Sequence, residues 1–380
     1  MPRLVLFLAL AVFAMGTSEF MLSGVLPALA DDLAVTTSAA GGLVSAYALG
    51  MVVGAPATAA LARRWPPRAA LLVFLAVFAA AHAVGALTAS LPVLLGTRVL
   101  AAAANAGFLA VAFTVAAAAV GPERRARALS VLLAGTTVAM VAGVPVGALV
   151  GSAAGWRVLF WAVAVLCVPP FVAILGAAPG NRSDAAGGPS LRGEIRALRH
   201  ARTAVLLALT ALVNAGTFGV LTFLAVPAQE TLSPAWIPFV LLLFGAGACI
   251  GVALVGRIGD AHPWTLLVTA APTLVGVWAV LAVGAGEPLI LLTTVPAAGL
   301  LAFAVGGTLI ALVIDSAAGP APSMAGSYAT AALNVGAVTG PAGAGVALER
   351  VSASAGPAWF AAAAVAVAVV VGGHLWRADR

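Results

Sequence analysis

The chain has no lysine. Its eighteen basic residues are all arginine, set against twelve acidic ones, and charged residues fill only 8% of the 380 positions. A soluble globular protein is about one quarter charged, because its surface must be wet. Most of the surface here must therefore face something other than water. Cysteine is as scarce: Cys167 and Cys249 lie inside apolar stretches in different halves, and two such thiols give no disulfide framework. They are expected to pack as apolar side chains. No G-x-x-x-x-G-K-[ST] phosphate loop occurs, no His/Cys/Glu cluster has metal-ligand spacing, and no G-x-S-x-G elbow has triad partners. An ATP-driven machine, a metalloenzyme and a triad hydrolase all lack their parts. Neither an enzyme nor a cofactor is expected.

What the chain has is apolar length. It is 63% hydrophobic with a mean hydropathy of +1.14. Apolar segments of about twenty residues, each long enough to cross a bilayer, recur between short polar breaks. The breaks predict twelve helical spans near 4–30, 38–60, 70–89, 92–119, 128–151, 157–177, 203–225, 235–256, 264–284, 288–312, 322–347 and 356–376. Period-two alternation, which a membrane β-barrel needs, is missing. The fold class is thus an all-α membrane protein. Arg3 and the small residues Ala14 to Gly16 imitate a signal peptide, but the apolar run continues to Ala30, so a retained first helix is expected.

With the N-terminus inside, fifteen arginines fall at inner ends, from Arg3, Arg63, Arg64 and Arg68 through Arg257 to Arg377 and Arg380. Only Arg157 and Arg350 fall outside, beside Asp31, Asp32, Glu230, Glu287 and Glu349. The positive-inside rule then puts both termini in the cytoplasm of a bacterial cell membrane. Cations dispersed in this way make no nucleic-acid patch. Lipid is the expected partner.

Residues 179–200, PGNRSDAAGGPSLRGEIRALRH, interrupt the pattern with a Gly/Ser/Pro stretch and a short basic amphipathic segment, which either rests on anionic headgroups or serves as a solvated linker. The expected organisation is a six-helix lobe over 1–178, a cytoplasmic linker over 179–202, and a second six-helix lobe over 203–380. The halves repeat. Gly16-Thr17 before Pro27 answers Gly216-Thr217 before Pro227, and GVPVG at 143–147 answers TGPAG at 339–343. LARRWPPRAALL after the second span answers IGDAHPWTLL after the eighth. Duplicated six-helix halves mark transporters whose site lies between the repeats.

GTSEFMLSGVLPALADDLAV (16–35), RVLAAAANAGFLAVAF (98–113), AGTTVAMVAGVPVGALVG (134–151) and GWRVLFW (155–161) resemble the major facilitator superfamily over essentially the whole chain. Within it they are most similar to twelve-helix drug:proton antiporters, above all the chloramphenicol-resistance exporters of high-GC Gram-positive bacteria. Related sugar-efflux permeases share much of the pattern. The resemblance implies the major facilitator fold, twelve helices in two pseudo-symmetric lobes. It also implies antibiotic efflux by alternating access, a small amphiphilic drug and protons as partners, and a monomer. Arg98 falls at the fourth-helix arginine linked to proton coupling. Gly135, Gly143, Pro145, Gly147 and Gly151 fall on the antiporter motif. Leu61, Ala62, Arg64 and Arg68 match the loop between helices two and three, but Arg63 and Pro66 replace its aspartate and turn glycine. The second half keeps the aspartate, as Asp260, followed by Ala261 where an arginine is usual. These loop residues are the gating candidates.

Glu19 sits in the first apolar run. An ionised carboxylate alone in hydrocarbon costs about 3 kcal/mol even on the milder insertion scales. A carboxyl kept there reads as the group that takes up and gives up a proton, that hydrogen-bonds substrate, or that does both in turn; the alternative is a permanently protonated glutamic acid bonded to a neighbouring helix. Arg98 needs a carboxylate, carbonyls or cavity water; a pairing with Glu19 in one conformation would make a charge switch, and a fixed bridge between helices is the alternative. The glycines at 143, 147 and 151 share one helix face and permit close backbone approach, as a rocking seal or as ordinary packing. Asn105 either meets a polar drug or joins two helices; Asn214 and Asn334 are expected to join helices. Met21, Phe108, Phe113, Phe218 and Phe223 are candidate drug contacts, with lipid-facing or core packing as the alternative. His82 is expected to be a satisfied helix contact, and Asp315 a gate contact or a solvated helix end. Two other functions remain open: a sugar or metabolite exporter of the same superfamily, and a non-transporting membrane receptor or scaffold.

Overall fold

The structure is a computed structural model that describes residues 3–62, 65–120, 131–132, 135–136, 138–177, 201–255, 263–318 and 325–378. It divides into two compact units, Met1–Asp184 and Ala185–Arg380. The first contains α1 (Arg3–Phe20), α2 (Leu26–Asp32), α3 (Thr37–Ala62), α4 (Pro67–Leu87), α5 (Leu91–Ala118), α6 (Val144–Ala154), α7 (Trp156–Leu166) and α8 (Val168–Ala177). The second contains α9 (Ala201–Phe223), α10 (Ala225–Thr231), α11 (Ile237–Leu254), α12 (Pro263–Val283), α13 (Pro288–Ala318), α14 (Ala325–Arg350) and α15 (Gly356–Ala378). Eleven helical stretches among the described residues are long and apolar enough to cross a membrane. The fifth predicted span, 128–151, runs partly through residues outside the described set and contributes α6.

Proline chemistry explains where the spans break. A proline has no N–H to give the carbonyl four residues earlier, and its ring collides with that carbonyl. Pro27 looks back to Ser23, inside a 3-10 turn (Met21–Gly24) that separates α1 from α2. Pro227 looks back to Phe223, where α9 ends. Pro170 looks back to Leu166, the end of α7. Pro145 looks back to Val141, inside a π-turn (Ala139–Gly143) that absorbs the misfit at the start of α6. Pro272, Pro296 and Pro341 are carried inside continuous helices. The α2 and α10 segments are each seven residues long, so the first and seventh spans break alike.

Glycine sets the closest helix contacts. A β-carbon on Gly50 would collide with the Val99 carbonyl, and one on Gly54 with Ala103, so α3 and α5 meet backbone to backbone. In the second unit a β-carbon on Gly247 would collide with the Pro296 carbonyl and one on Gly251 with that of Leu300, which seats α11 on α13 in the same way. Without a hydrophobic driving force between helices in lipid, such close van der Waals seams hold the bundle. Gly155 serves a different need: it joins α6 to α7 at φ +83°, a conformation that L side chains resist.

Candidate functional site

The polar centre of the first unit forms where the α3–α5 seam meets α1 and α4. Tyr47 precedes Gly50 by one turn and Arg98 precedes Val99, so the seam brings the Arg98 guanidinium to 4.2 Å from the Tyr47 ring centroid. Arg98 is 1% exposed. Its Nη1 donates to Ser18 Oγ at 2.7 Å, its Nη2 to the Ser18 carbonyl at 2.9 Å, and its Nε to the Leu43 carbonyl at 3.5 Å. The Ser18 carbonyl lies just before the chain passes from α to 3-10 winding at Met21. A buried guanidinium costs several kcal/mol unless hydrogen bonds replace its water, and here carbonyls, a hydroxyl and an aromatic face replace it.

The network extends in two directions. Ser18 Oγ lies 2.6 Å from His82 Nε2, and His82 Nδ1 lies 2.8 Å from the Phe78 carbonyl. The imidazole packs between Phe78 and Phe160, at centroid distances of 4.3 and 5.7 Å. In the other direction Tyr47 donates to the Met15 carbonyl at 3.3 Å and accepts from Asn105 Nδ2 at 3.0 Å. Asn105 Oδ1 is buried without a hydrogen-bond partner. Glu19, the residue after Ser18, is half-buried. No ion pair joins it to Arg98.

Of the residues expected to matter, Arg98 and Asn105 therefore meet on Tyr47, and Glu19 is the residue after Ser18, which Arg98 holds. Sequence reasoning did not single out Ser18 and Tyr47. The available signals were a hydroxyl beside Glu19 and one of only two tyrosines in the chain, placed one turn before Gly50. His82 is satisfied at both ring nitrogens, as expected, but one partner is the residue next to Glu19.

The antiporter-motif glycines face the first span in four-residue steps. A β-carbon on Gly135 would lie 2.6 Å from the Ala9 carbonyl, one on Gly143 3.2 Å from Thr17 Oγ1, and one on Gly147 3.4 Å from Met21 Cβ; one on Gly151 would collide with Val25. Pro145 is buried at the start of α6. Met21, Phe108 and Phe223 are at most 1% exposed, whereas Phe113 and Phe218 are half-buried. Asn214 donates to the Leu333 carbonyl at 2.6 Å and so joins α9 to α14, but Asn334 donates to the Thr330 carbonyl of its own helix. Asp315 is exposed near the end of α13. Arg68 donates to the Leu175 carbonyl. Arg64, Asp260 and the linker segment 179–200 lie outside the described residues.

Two other features complete the geometry. Asp32 accepts from Trp156 Nε1 at 3.1 Å and pairs with Arg157, whose guanidinium lies 4.3 Å from the Trp156 ring centroid. The Arg157 hydrogen bond, and then that of Trp156, hold the Asp32 carboxyl below the usual carboxylate range. The second unit contains an apolar cavity of about 200 Å³ between α9, α12, α13 and α15, bordered by Leu209, Trp264, Pro272 and Gly373.

Comparison with known proteins follows the same lines. Residues 8–341 match the family model "Major Facilitator Superfamily". The chain is 54% identical over 375 residues to the "Chloramphenicol resistance protein" of Streptomyces lividans, covering 98% of this chain and 95% of that one. It is 31% identical to the "Inner membrane transport protein YdhP" of Escherichia coli (strain K12), over 67% of this chain and 65% of the relative. A crystal structure of a bacterial homolog of the human lysosomal transporter Spinster, inward-facing and unoccupied, superposes with a TM-score of 0.73 at 16% identity, covering 97% of this chain and 94% of that one. At that identity the likeness speaks for the fold alone. With eleven stretches among the described residues long and apolar enough to cross a membrane, a family model matched over residues 8–341 and one relative matched nearly end to end, this chain is a multi-pass membrane transporter and belongs to the Major Facilitator Superfamily.

Proposed function

We propose that the protein exports a small amphiphilic antibiotic, chloramphenicol or a related phenicol, across the bacterial cell membrane in exchange for protons. The observation that carries this reading is the 54% identity, over nearly the full length of both chains, to a protein named for chloramphenicol resistance. The arginine distribution supports cytoplasmic termini, and a monomer suffices for the mechanism.

Glu19 is the proton-carrying group and Arg98 its cationic neighbour. Protonation and drug binding favour opposite-facing states, and each shifts the balance only through its different affinity for the two. One proton moving inward releases about 2.3 kcal/mol per 100 mV of membrane potential, plus the pH term. A tenfold gradient of a neutral drug costs about 1.4 kcal/mol, so one proton suffices for more than a tenfold gradient. Phe113 and Phe218, which keep exposed surface, join Glu19 as the first candidates for drug contact; at Met21, Phe108, Phe223 and Asn105, contact requires the helices to move. Arg64, Arg68 and Asp260 belong to the loops that gate access, and the glycine seam from Gly135 to Gly151 is the rocking surface.

The test is expression in a sensitive host together with uptake into everted vesicles under an imposed pH gradient. The expected result is raised phenicol tolerance and gradient-driven drug accumulation, both abolished by Glu19→Gln while the protein remains inserted. Unchanged tolerance with altered sugar accumulation would overturn the substrate. Undiminished resistance in Glu19→Gln would overturn the coupling residue.

A further inference from the structure

The hydrogen-bond chain through His82 has a fixed direction. The Phe78 carbonyl can only accept, so His82 Nδ1 carries a hydrogen and donates to it. In a neutral imidazole Nε2 is then an acceptor, and the Ser18 hydroxyl must donate across the 2.6 Å between them. The lone pairs of Ser18 Oγ are thereby turned to Arg98 Nη1 at 2.7 Å. The order Arg98 to Ser18 to His82 to Phe78 is set at each link. A protonated ring would reverse the link to Ser18 and place two cations on one hydroxyl.

We infer that His82 and Ser18 are positioning residues for proton coupling: they hold the Arg98 guanidinium on residue 18 and so keep it from a direct ion pair with the neighbouring Glu19. The inference rests on the reading of Glu19 as the proton-carrying group. The surroundings favour it. Arg98 touches the residue adjacent to Glu19 twice, through Oγ and the carbonyl, yet no ion pair with Glu19 forms. The titratable groups around Arg98 are Glu19 of α1, the residue after Ser18, Tyr47 of α3, whose ring lies 4.2 Å from the guanidinium, and His82 of α4, joined to it through the Ser18 hydroxyl. From α7, the neighbour of the imidazole is Phe160, which carries no charge. Loosening the hold of Ser18 would free the guanidinium to close on the carboxylate of the next residue along α1.

The experiment reads drug-driven proton flux against pH in proteoliposomes of the full chain. Wild type is compared with Ser18→Ala, His82→Leu, His82→Gln and Glu19→Gln. A carboxylate that gains a direct cationic partner holds its charge to more acidic pH, so Ser18→Ala and His82→Leu are expected to move the half-maximal pH downward by about half a unit or more. His82→Gln, whose amide oxygen can again accept from Ser18, recovers most of that shift. An unmoved midpoint in Ser18→Ala overturns the inference, even if flux falls at every pH, because lost packing alone does that. Ser18→Ala removes one hydroxyl, so it carries the test if His82→Leu fails to fold. Glu19→Gln separates the two readings. Persisting pH dependence there removes the coupling assignment itself, whereas its loss there, with Ser18→Ala unmoved, removes only the positioning role.

Discussion

In the first unit Gly50 and Gly54 seat α3 on Val99 and Ala103 of α5. A shift of 197 residues along the chain, Gly247 and Gly251 seat α11 on Pro296 and Leu300 of α13. The same shift carries Tyr47 to Phe244, His82 to Ala279, Arg98 to Val295 and Asn105 to Ala302. Phe244, Val295 and Ala302 are all buried. The backbone seam is thus duplicated and its chemistry is not. An aromatic ring occupies the same place in both units, over a guanidinium in one and in an apolar core in the other, where Phe244 meets Phe303 edge-on. Close packing of glycine against backbone is indifferent to what stands one turn away. A buried cation is not, because it needs acceptors from several helices at once, and only the first unit supplies Ser18 and the Leu43 carbonyl around its arginine.

The comparison can be broken most severely by exchanging its central pair. Val295→Arg places an unpartnered charge in the second seam and is expected to cost about 3–5 kcal/mol. That loss is read as a fall in thermal stability in detergent or as failure to insert. Arg98→Val makes the first seam like the second; it is expected to insert but to lose drug-driven proton exchange, as vesicle assays would show. The shared scaffold predicts matched damage next. Gly54→Leu and Gly251→Leu each force a side chain into facing backbone and are expected to cost about 1–3 kcal/mol apiece. Equal losses in thermal melts sharpen the symmetry, and a tolerated substitution in either unit breaks it. Tyr47→Phe copies Phe244 and keeps the ring under Arg98. It leaves Asn105 Nδ2 without its acceptor, for about 1–2 kcal/mol and a several-fold loss of flux.

The smallest effect belongs to Asp32. Its carboxyl is held below the usual range in the folded protein, so the contribution of its pair with Arg157 is complete above the unfolded carboxylate range and is lost as pH falls through the lower folded value. Both partners are more than a third exposed, so Asp32→Asn is expected to cost less than about 1 kcal/mol. A melt series against pH should show wild type converging on the variant only in strong acid.

The spans were legible because apolar length is a direct requirement of the bilayer; the helix breaks were not, because Pro27 interrupts the expected span 4–30 whereas Pro272, Pro296 and Pro341 leave theirs continuous. Pro27 and Pro227 lie in the broken first and seventh spans, where the repeat pattern had matched them. Glu19 and Arg98 could be singled out because a charge in hydrocarbon stands out from any background. Ser18 and Tyr47 could not. A serine or tyrosine in an apolar helix is unremarkable until its partner is known, and those partners lie 80 and 58 residues away. Asn334 shows the converse: an intrahelical hydrogen bond to Thr330 satisfies its amide locally, where a link between helices had been expected.

Composition by itself determined that this chain spans a membrane many times, because too few charges remain to clothe a water-facing surface. Periodicity and repetition determined that it does so in two related halves. Which side chains meet was decided only in three dimensions. The α3–α5 seam must first close before Tyr47 reaches Arg98, and α1 and α4 must reach the same spot before Ser18 and His82 can fix where that guanidinium points. A hydrogen bond operates over about 3 Å, and no distance along the sequence encodes that.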